Sequence, residues 1–83
     1  MLPKKTKEYQ WMRVGDFYVL YDPITNESFN LDPIAFIVWL QCDGKTHIDE
    51  IVDLLSVGDN KDIVKAAVTG IIERLAENGI IRK

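Results

Sequence analysis

The sequence contains few of the residues on which metal binding and nucleophilic catalysis depend. A single cysteine, Cys42, and a single histidine, His47, occur in 83 residues. One cysteine excludes an internal disulfide, and one histidine excludes both a two-histidine metal site and the H-E-x-x-H motif. We therefore expect neither a metal nor a cofactor. Cys42 is interpreted as a small buried residue, and His47 as a residue at a helix start or on the surface.

Long apolar runs and glycine clusters are also absent. No stretch approaches the roughly 18 apolar residues of a membrane span, and no signal peptide opens the chain. We expect no membrane partner and a cytoplasmic location. The five glycines are scattered, so none of them belongs to a phosphate-binding loop. No acid–base pair or nucleophile with its base is indicated, and the chain is predicted not to be an enzyme.

The chain also has no excess of positive charge. Ten Lys and Arg oppose thirteen Asp and Glu, which gives a formal net charge of −3. Binding to a phosphate backbone depends on clustered cations, so this balance argues against nucleic acid as the main partner. The exception is Lys4, Lys5 and Lys7, which we interpret as part of a flexible basic tail over residues 1–8. Residues 9–83 are predicted to form a single domain.

The residues that are present are organised around the stretch Leu31–Gly44. Asp32 suits a helix N-cap, Pro33 suits the first helical position, and Gly44 suits a C-terminal stop. Residues 34–40 between them are all apolar. A short apolar run is also compatible with a buried strand, but the cap, the proline and the length favour a helix. Because a helix that is apolar on every side must be covered, we expect it at the centre of the domain.

Three strands are predicted before this helix. Residues 9–14 and 17–21 are rich in aromatic and β-branched side chains, and Gly15-Asp16 between them favours a type II′ hairpin turn. A second turn follows, in which Asn26 suits the left-handed position. Glu27–Leu31 then alternates polar and apolar residues, as a half-buried strand does. The three strands are expected to form an antiparallel meander.

Two further helices are predicted after the central one. Thr46-His47-Ile48-Asp49 resembles a capping box, and the apolar spacing behind it favours an amphipathic helix. The last helix is predicted to begin after Asp59 or Asn60 and to run to about Glu77. Three strands followed by three helices indicate an α+β fold, of the winged helix-turn-helix-like kind.

One flank of the last helix carries the most informative pattern. Ile63, Ala67, Gly70 and Arg74 lie on it at helical spacing, between a core stripe and a polar stripe. A glycine in a helix interior costs about 1 kcal/mol relative to alanine and often marks the close approach of another backbone. The flank is therefore either a shallow apolar trough with a cation at one end or a surface that packs against the sheet.

A strand at the sheet edge beside such a trough favours peptide binding. If Glu27–Leu31 is that strand, its unpaired N–H and C=O groups can accept a peptide as an added strand. Two alternatives remain open: a winged-helix nucleic-acid-binding protein, and a homodimer or adaptor in which edge strand pairs with edge strand. The residues predicted to bind peptide are Glu27, Ser28, Phe29, Asn30, Leu31, Ile63, Ala67, Gly70, Ile71 and Arg74.

One arrangement of residues around the central helix is distinctive. The pattern L-x-P-x-A-x-x-x-W-x-x-x-D-G occurs as Leu31, Pro33, Ala35, Trp39, Asp43 and Gly44. Further segments that belong with it are Leu20–Asp22, Asn30–Pro33, Ile37–Leu40, Cys42–Gly44, Asp49–Val52 and Leu75–Ile81. Together these segments resemble the PqqD family, the pyrroloquinoline quinone biosynthesis protein D-like domains, and the resemblance covers residues 9–83.

This resemblance implies a non-catalytic, chaperone-like recognition element for precursor peptides. Such a domain would bind the leader region of a ribosomally made peptide as an added strand between the third strand and the third helix. It would then deliver the peptide to a maturation enzyme, of the radical S-adenosylmethionine type or similar. Carried over by position, the groove would use Glu27–Leu31 and the facing side of Ile63–Arg74. His47 and Asn26 depart from the pattern, which puts local stability in doubt but not the groove.

Overall fold

The computed structural model describes residues 1–83, with the main sheet preceding the helices along the chain. The sheet consists of β2, β3 and β4 in that order, with antiparallel pairing, and β1 pairs with β5 in a separate two-stranded sheet. The prediction of an α+β fold with a three-stranded antiparallel sheet followed by three helices is confirmed. The elements are β1 (Lys4–Lys5), β2 (Gln10–Val14), β3 (Phe17–Asp22), β4 (Glu27–Leu31), α1 (Pro33–Leu40), α2 (Ile48–Leu55), α3 (Lys61–Glu77) and β5 (Ile81–Arg82).

Local turn chemistry fixes the register of the sheet. Val14 pairs with Phe17 across the two-residue turn, and Gly15 adopts a positive φ of 59°, as the first position of a type II′ turn requires. In the second turn Asn26 has a φ of 61°, which confirms its predicted left-handed conformation. Because neither pairing contains a bulge, side chains alternate without interruption between the two faces of the sheet.

The central helix α1 begins as its sequence predicts and ends earlier. The Asp32 carboxylate accepts a hydrogen bond from the N–H of Ala35 at 2.8 Å, and Pro33 occupies the first turn. The helix stops at Leu40, four residues before Gly44, and the N–H of Gly44 donates to Pro3 of the N-terminal segment. The side chains that α1 buries are Ala35, Phe36, Val38 and Trp39.

The capping box of α2 begins one residue later than the sequence predicts. His47, not Thr46, is the N-cap: its Nδ1 accepts from the N–H of Asp49, and the side chain of Glu50 accepts from the N–H of His47. The N–H and the hydroxyl of Thr46 both donate to the carboxylate of Asp43, so Thr46 belongs to the turn before the helix. The hydrogen bond from the N–H of Lys45, together with those from Thr46, holds the pKa of Asp43 below its ordinary value.

Residues 1–8 differ from the flexible tail that their composition predicts. Lys4–Lys5 pairs antiparallel with Ile81–Arg82, and the N–H of Thr6 donates to the carbonyl of Ile80 at 3.0 Å. Pro3 is fully buried, and the ammonium of Lys5 lies 5.0 Å from the ring centroid of Trp39. The basic segment is therefore fixed by main-chain pairing with the end of the chain, a contact that residue composition does not encode.

The core lies between the inner face of the sheet and the three helices. α3 packs mainly against α2 and α1, and it buries Val68, Ile71, Ile72 and Leu75. On the sheet side Leu20 is fully buried, and Tyr18 packs against Phe36 of α1. This arrangement places α3 beside β4 without covering the outer edge of that strand.

Candidate functional site

The main chain of β4 alternates between groups that bond to β3 and groups that do not. The carbonyl of Asp22 accepts from the N–H of Asn26 at 2.8 Å, so Asp22, the last residue of β3, directs its carbonyl towards the hairpin. Asp22 pairs with Glu27, which makes Glu27 a residue that bonds to β3. Every second residue of β4 does the same. The residues of β4 that bond to β3 are Glu27, Phe29 and Leu31.

The N–H and C=O groups of Ser28 and Asn30 point in the opposite direction, out of the sheet. β4 is the last strand of the sheet, and no other segment of the chain donates to or accepts from these four groups. Both residues are exposed. The outer edge of β4 is therefore an open row of main-chain donors and acceptors, the arrangement to which an extended peptide can pair.

A cavity of about 160 Å³ lies beside this edge, between β4, the start of α1 and the second half of α3. Its apolar wall consists of Leu31, Ala35, Ile71 and Leu75. Polar residues complete the lining, with Arg74 of α3 and its C-cap Asn78 on one side and Asn30 and Asp32 on the other. The cavity is thus a small pocket of mixed lining, with one apolar wall, next to unpaired backbone.

Ion pairs with α2 show which flank of α3 faces away from β4. Lys61 pairs with Asp53, and Lys65 lies 3.4 Å from Asp49, so the lysine-bearing flank of α3 faces α2. The flank that carries Arg74 lies on the other side of the helix, at the cavity. This arrangement leaves the two lysines engaged and the guanidinium of Arg74 without an ion-pair partner.

The structure brings together some of the residues predicted to bind peptide and separates others. Asn30, Leu31, Ile71 and Arg74 all line the cavity. Glu27 and Ser28 lie on β4 outside it and are exposed, whereas Phe29 is half-buried and packs edge-to-face on Tyr9. Ser28 thus lies on the open edge outside the cavity, and Phe29 belongs to the inner face of the sheet.

The first half of the predicted trough on α3 does not reach the cavity. Ile63 is 75% exposed, and Ala67 is also exposed. No atom lies within 4 Å of the position that a Cβ on Gly70 would occupy. The flank is therefore open to solvent, and the alternative in which it packs against the sheet is wrong. Close approach of another part of the chain does not account for Gly70.

Four cavity residues were not predicted from the sequence: Asp32, Ala35, Leu75 and Asn78. Leu75 and Asn78 were detectable, because they follow Ile71 and Arg74 at helical spacing of four. The sequence identifies Asp32 only as the N-cap of the central helix, and Ala35 only as part of its apolar run and of the PqqD-like motif. Their second role depends on how closely α3 approaches that turn, which is a property of the packing.

The lone cysteine and the lone histidine both have structural roles. Cys42 is fully buried, and its Sγ donates to the carbonyl of Val38 at 3.2 Å. Burial raises the pKa of the Cys42 thiol to about 11. His47 is the N-cap of α2, as described above. No three metal-ligating side chains cluster in the structure, and none of its helices has the length and apolarity to span a bilayer.

Comparison with known proteins supports the description of the fold. No curated protein matches the sequence. The structure is similar to that of TbiB1 in complex with the TbiA(beta) leader peptide, with a TM-score of 0.71 and 22% identity over 95% of this chain and 94% of that chain. At this identity the likeness establishes the fold alone. The sequence profile of the family described as coenzyme PQQ synthesis protein D matches residues 18–81, and the chain therefore belongs to the PqqD family.

Proposed function

We propose that this chain binds the leader region of a ribosomally made precursor peptide as an added strand on β4. The observation that carries the proposal is the juxtaposition of an open strand edge, at Ser28 and Asn30, with a small cavity against α3 that has one apolar wall. Membership of the PqqD family and the leader peptide held by the structural neighbour TbiB1 support the same interpretation.

The proposed peptide lies extended between β4 and α3. Its main chain pairs with Ser28 and Asn30, and this pairing contributes affinity for any sequence that can extend. Its side chains alternate, so every second one points towards α3. A cavity of about 150 Å³ can hold a molecule as large as benzene. The pocket walled by Leu31, Ile71 and Leu75 therefore selects one aliphatic or aromatic side chain of the peptide.

The proposed role ends with presentation of the peptide. The cavity contains no cysteine, histidine, serine or lysine, so its side chains offer no nucleophile with an adjacent base. We infer a non-catalytic accessory protein that transfers its peptide to a separate maturation enzyme, of the radical S-adenosylmethionine type or similar. The proposed setting is the cytoplasm.

Titration of the isotope-labelled chain by NMR tests this proposal. The probes are synthetic peptides that correspond to the N-terminal halves of the short reading frames beside its gene. We expect one peptide to shift the amide resonances of Ser28, Asn30, Ile71 and Arg74 in a saturable manner. Absence of saturable shifts with all of these peptides up to about 1 mM would contradict the proposal.

Two variants at one position distinguish main-chain pairing from side-chain contact. Asn30→Pro removes an N–H that bonds to nothing within the chain, so the β3–β4 ladder stays intact while the added strand loses a donor. Asn30→Thr changes the side chain and keeps the N–H. We expect the proline variant to lose at least tenfold in peptide affinity and the threonine variant to retain most of it. Equal affinities would exclude pairing at this edge.

The nucleic-acid-binding alternative has less support. A recognition helix needs free cations, whereas Lys61 and Lys65 of α3 are paired with carboxylates of α2. It remains testable by gel shift with duplex DNA at increasing salt, because binding to a phosphate backbone weakens as salt rises.

A further inference from the structure

β2 is the second edge of the three-stranded sheet, and its outward groups can be assigned in the same way as those of β4. Val14 and Phe17 close a two-residue hairpin, so the residues of β2 that bond to β3 are Val14 and every second residue before it. Trp11 and Arg13 lie between them. Their N–H and C=O groups therefore point away from the sheet, and no other segment of the chain pairs with them.

This edge lacks the features that prevent unwanted strand pairing in monomers. Such edges usually carry proline, a bulge, several charges or a covering loop. β2 has the sequence QWMRV, it pairs without a bulge, and every residue in it is exposed. Trp11 is 49% exposed and Met12 50%. A flat, largely apolar edge of this kind favours pairing with another strand.

We propose that β2 pairs antiparallel with β2 of a second copy of this chain, about a two-fold axis at Met12. This register uses the full strand, because it aligns Gln10 with Val14 of the second copy at each end. Trp11 and Arg13 of the second copy then form a doubly hydrogen-bonded pair, and the symmetric pair forms on the other side of the axis. Two three-stranded sheets join into one of six strands.

Charge and side-chain placement favour β2 of a second copy, over an unrelated strand, as the partner of this edge. Arg13 is the only charged residue of β2, and in this register it lies opposite Trp11 of the second copy and away from the second Arg13. Cross-strand Arg–Trp pairs are stabilised by the cation–π interaction. Within its own chain the Nε of Arg13 donates only to the carbonyl of Gly15, so the terminal nitrogens are free to reach the indole.

The proposed dimer goes beyond the peptide-binding function and does not depend on it. β2 and β4 are opposite edges of the sheet. Each copy therefore keeps its β4 edge and its cavity open, at the two ends of the six-stranded sheet. If both proposals are correct, one dimer presents two peptides, one at each end.

Sedimentation equilibrium and amide hydrogen exchange of the full chain test the dimer. From about 10 µM to about 1 mM, we expect the mass to rise from 9.5 kDa towards twice that value, because edge pairing buries only a small interface. Over the same range the amides of Trp11 and Arg13 should become about three- to fourfold more protected, because only the monomer exchanges them and its fraction falls by that factor. The amide of Met12, which bonds to Val19 in the monomer, should change little.

Two results would overturn the proposal directly. One is a mass of 9.5 kDa at every concentration. The other is a dimer in which the amides of Trp11 and Arg13 stay unprotected, because the copies would then meet elsewhere. Protection of these amides in a monomeric chain on addition of a leader peptide would also overturn it, since the peptide would then occupy this edge.

Variants of Arg13 locate the contact. Arg13→Pro removes an outward N–H without breaking the β2–β3 ladder, and we expect the folded variant to stay monomeric. Arg13→Glu keeps the N–H and places a carboxylate against the indole, so dimerisation should weaken at least tenfold even if the proline variant does not fold. Arg13→Lys is the control that should still dimerise. If a folded proline or glutamate variant dimerises as strongly as the wild type, the proposal is contradicted.

The variant Asn30→Pro, which blocks the opposite edge, should leave dimerisation unchanged. If it abolishes the dimer instead, the copies pair through β4 and the assignment to β2 is wrong. Because this variant is expected to lose peptide binding and to keep the dimer, failure of one proposal is distinguishable from failure of the other.

Discussion

Tyr18 of β3 and Phe36 of α1 stack face to face, with ring centroids 3.9 Å apart and ring planes within 2° of parallel. This pair joins the sheet to the central helix. Because α3 packs on α1, the position of β4 relative to α3 depends on the same joint. The geometry of the groove between β4 and α3 therefore depends on the Tyr18–Phe36 stack, although neither residue lines the cavity.

We expect Phe36→Ala to lower the free energy of unfolding by about 3–5 kcal/mol, because it removes a buried ring and leaves a cavity under the sheet. Urea denaturation followed by circular dichroism measures the change. Phe17→Ala, on the opposite and more exposed face of β3, should cost less than about 1 kcal/mol. If both substitutions lower the free energy of unfolding by similar amounts, the stack is not the main contact between the sheet and α1.

Gly70 offers a stabilising substitution. It lies inside α3 with ordinary helical φ, and nothing occupies the space that a Cβ would fill. Gly70→Ala should therefore raise the free energy of unfolding by about 0.5–1 kcal/mol. Gly79 is the matched control: its φ of 73° is strained for any side chain, and Gly79→Ala should destabilise the chain. Urea denaturation of both variants checks the opposite signs.

The ion pair between Lys7 and Asp22 predicts how stability depends on pH. The hydrogen bond from Lys7, with a second from the N–H of Ile24, lowers the pKa of Asp22 to about 2, against an ordinary value of 3.8. Between these values the unfolded chain binds the proton more readily than the folded one. The contribution of Asp22 is therefore complete above about pH 4 and is lost as the pH falls through 2.

Asp22→Asn tests this dependence, because it keeps a side-chain oxygen for Ile24 and removes the charge that Lys7 meets. We expect a lower Tm at pH 7 and a smaller further loss between pH 4 and pH 2 than in the wild type. Asp16→Asn, at an exposed turn where the carboxylate has no ion pair, removes the same formal charge and is the matched control. Thermal melts at a series of pH values provide the comparison.

Cys42 is expected to resist alkylation in the folded chain. With its pKa raised to about 11 from 9.0, the thiolate fraction near pH 8 falls by about two orders of magnitude, and burial slows access further. Iodoacetamide labelling followed by mass spectrometry should be at least about 100-fold slower in buffer than in urea. Similar rates in the two solvents would mean that the end of α1 opens readily.

The parts of the fold that the sequence predicts well are those fixed by local chemistry. Asp32 and Pro33 define the start of α1 because a cap and a first-turn proline act within a few residues. Asn26 and Gly15 define the two turns for the same reason. The shifted cap of α2 is also local, but it depends on a competition that spacing cannot decide, in which Asp43 binds Thr46 and leaves His47 as the cap.

The features that the sequence does not predict depend on contacts between distant residues. The strand at Lys4–Lys5 exists because Ile81–Arg82 lies beside it, and neither segment has a strand pattern of its own. Four of the eight residues that line the cavity are predicted, on β4 and on the Ile71–Arg74 side of α3. They are predictable because the order of the strands and the helical spacing can both be inferred from the sequence. The contribution of Ala35 depends on the approach of α3 to the first turn of α1, which no periodicity encodes.

The pairing of Lys4–Lys5 with Ile81–Arg82 has a consequence for synthesis on the ribosome. Until residues 80–82 have been synthesised, the strand at Lys4–Lys5 has main-chain partners only in the segment around residues 42–44. Both hairpins of the main sheet, whose contacts are short in sequence, can form while translation continues. The pairing of β1 with β5 must wait for the release of residues 80–82, so a nascent chain stalled before them holds its N-terminal segment by the other contacts alone and is more sensitive to proteases.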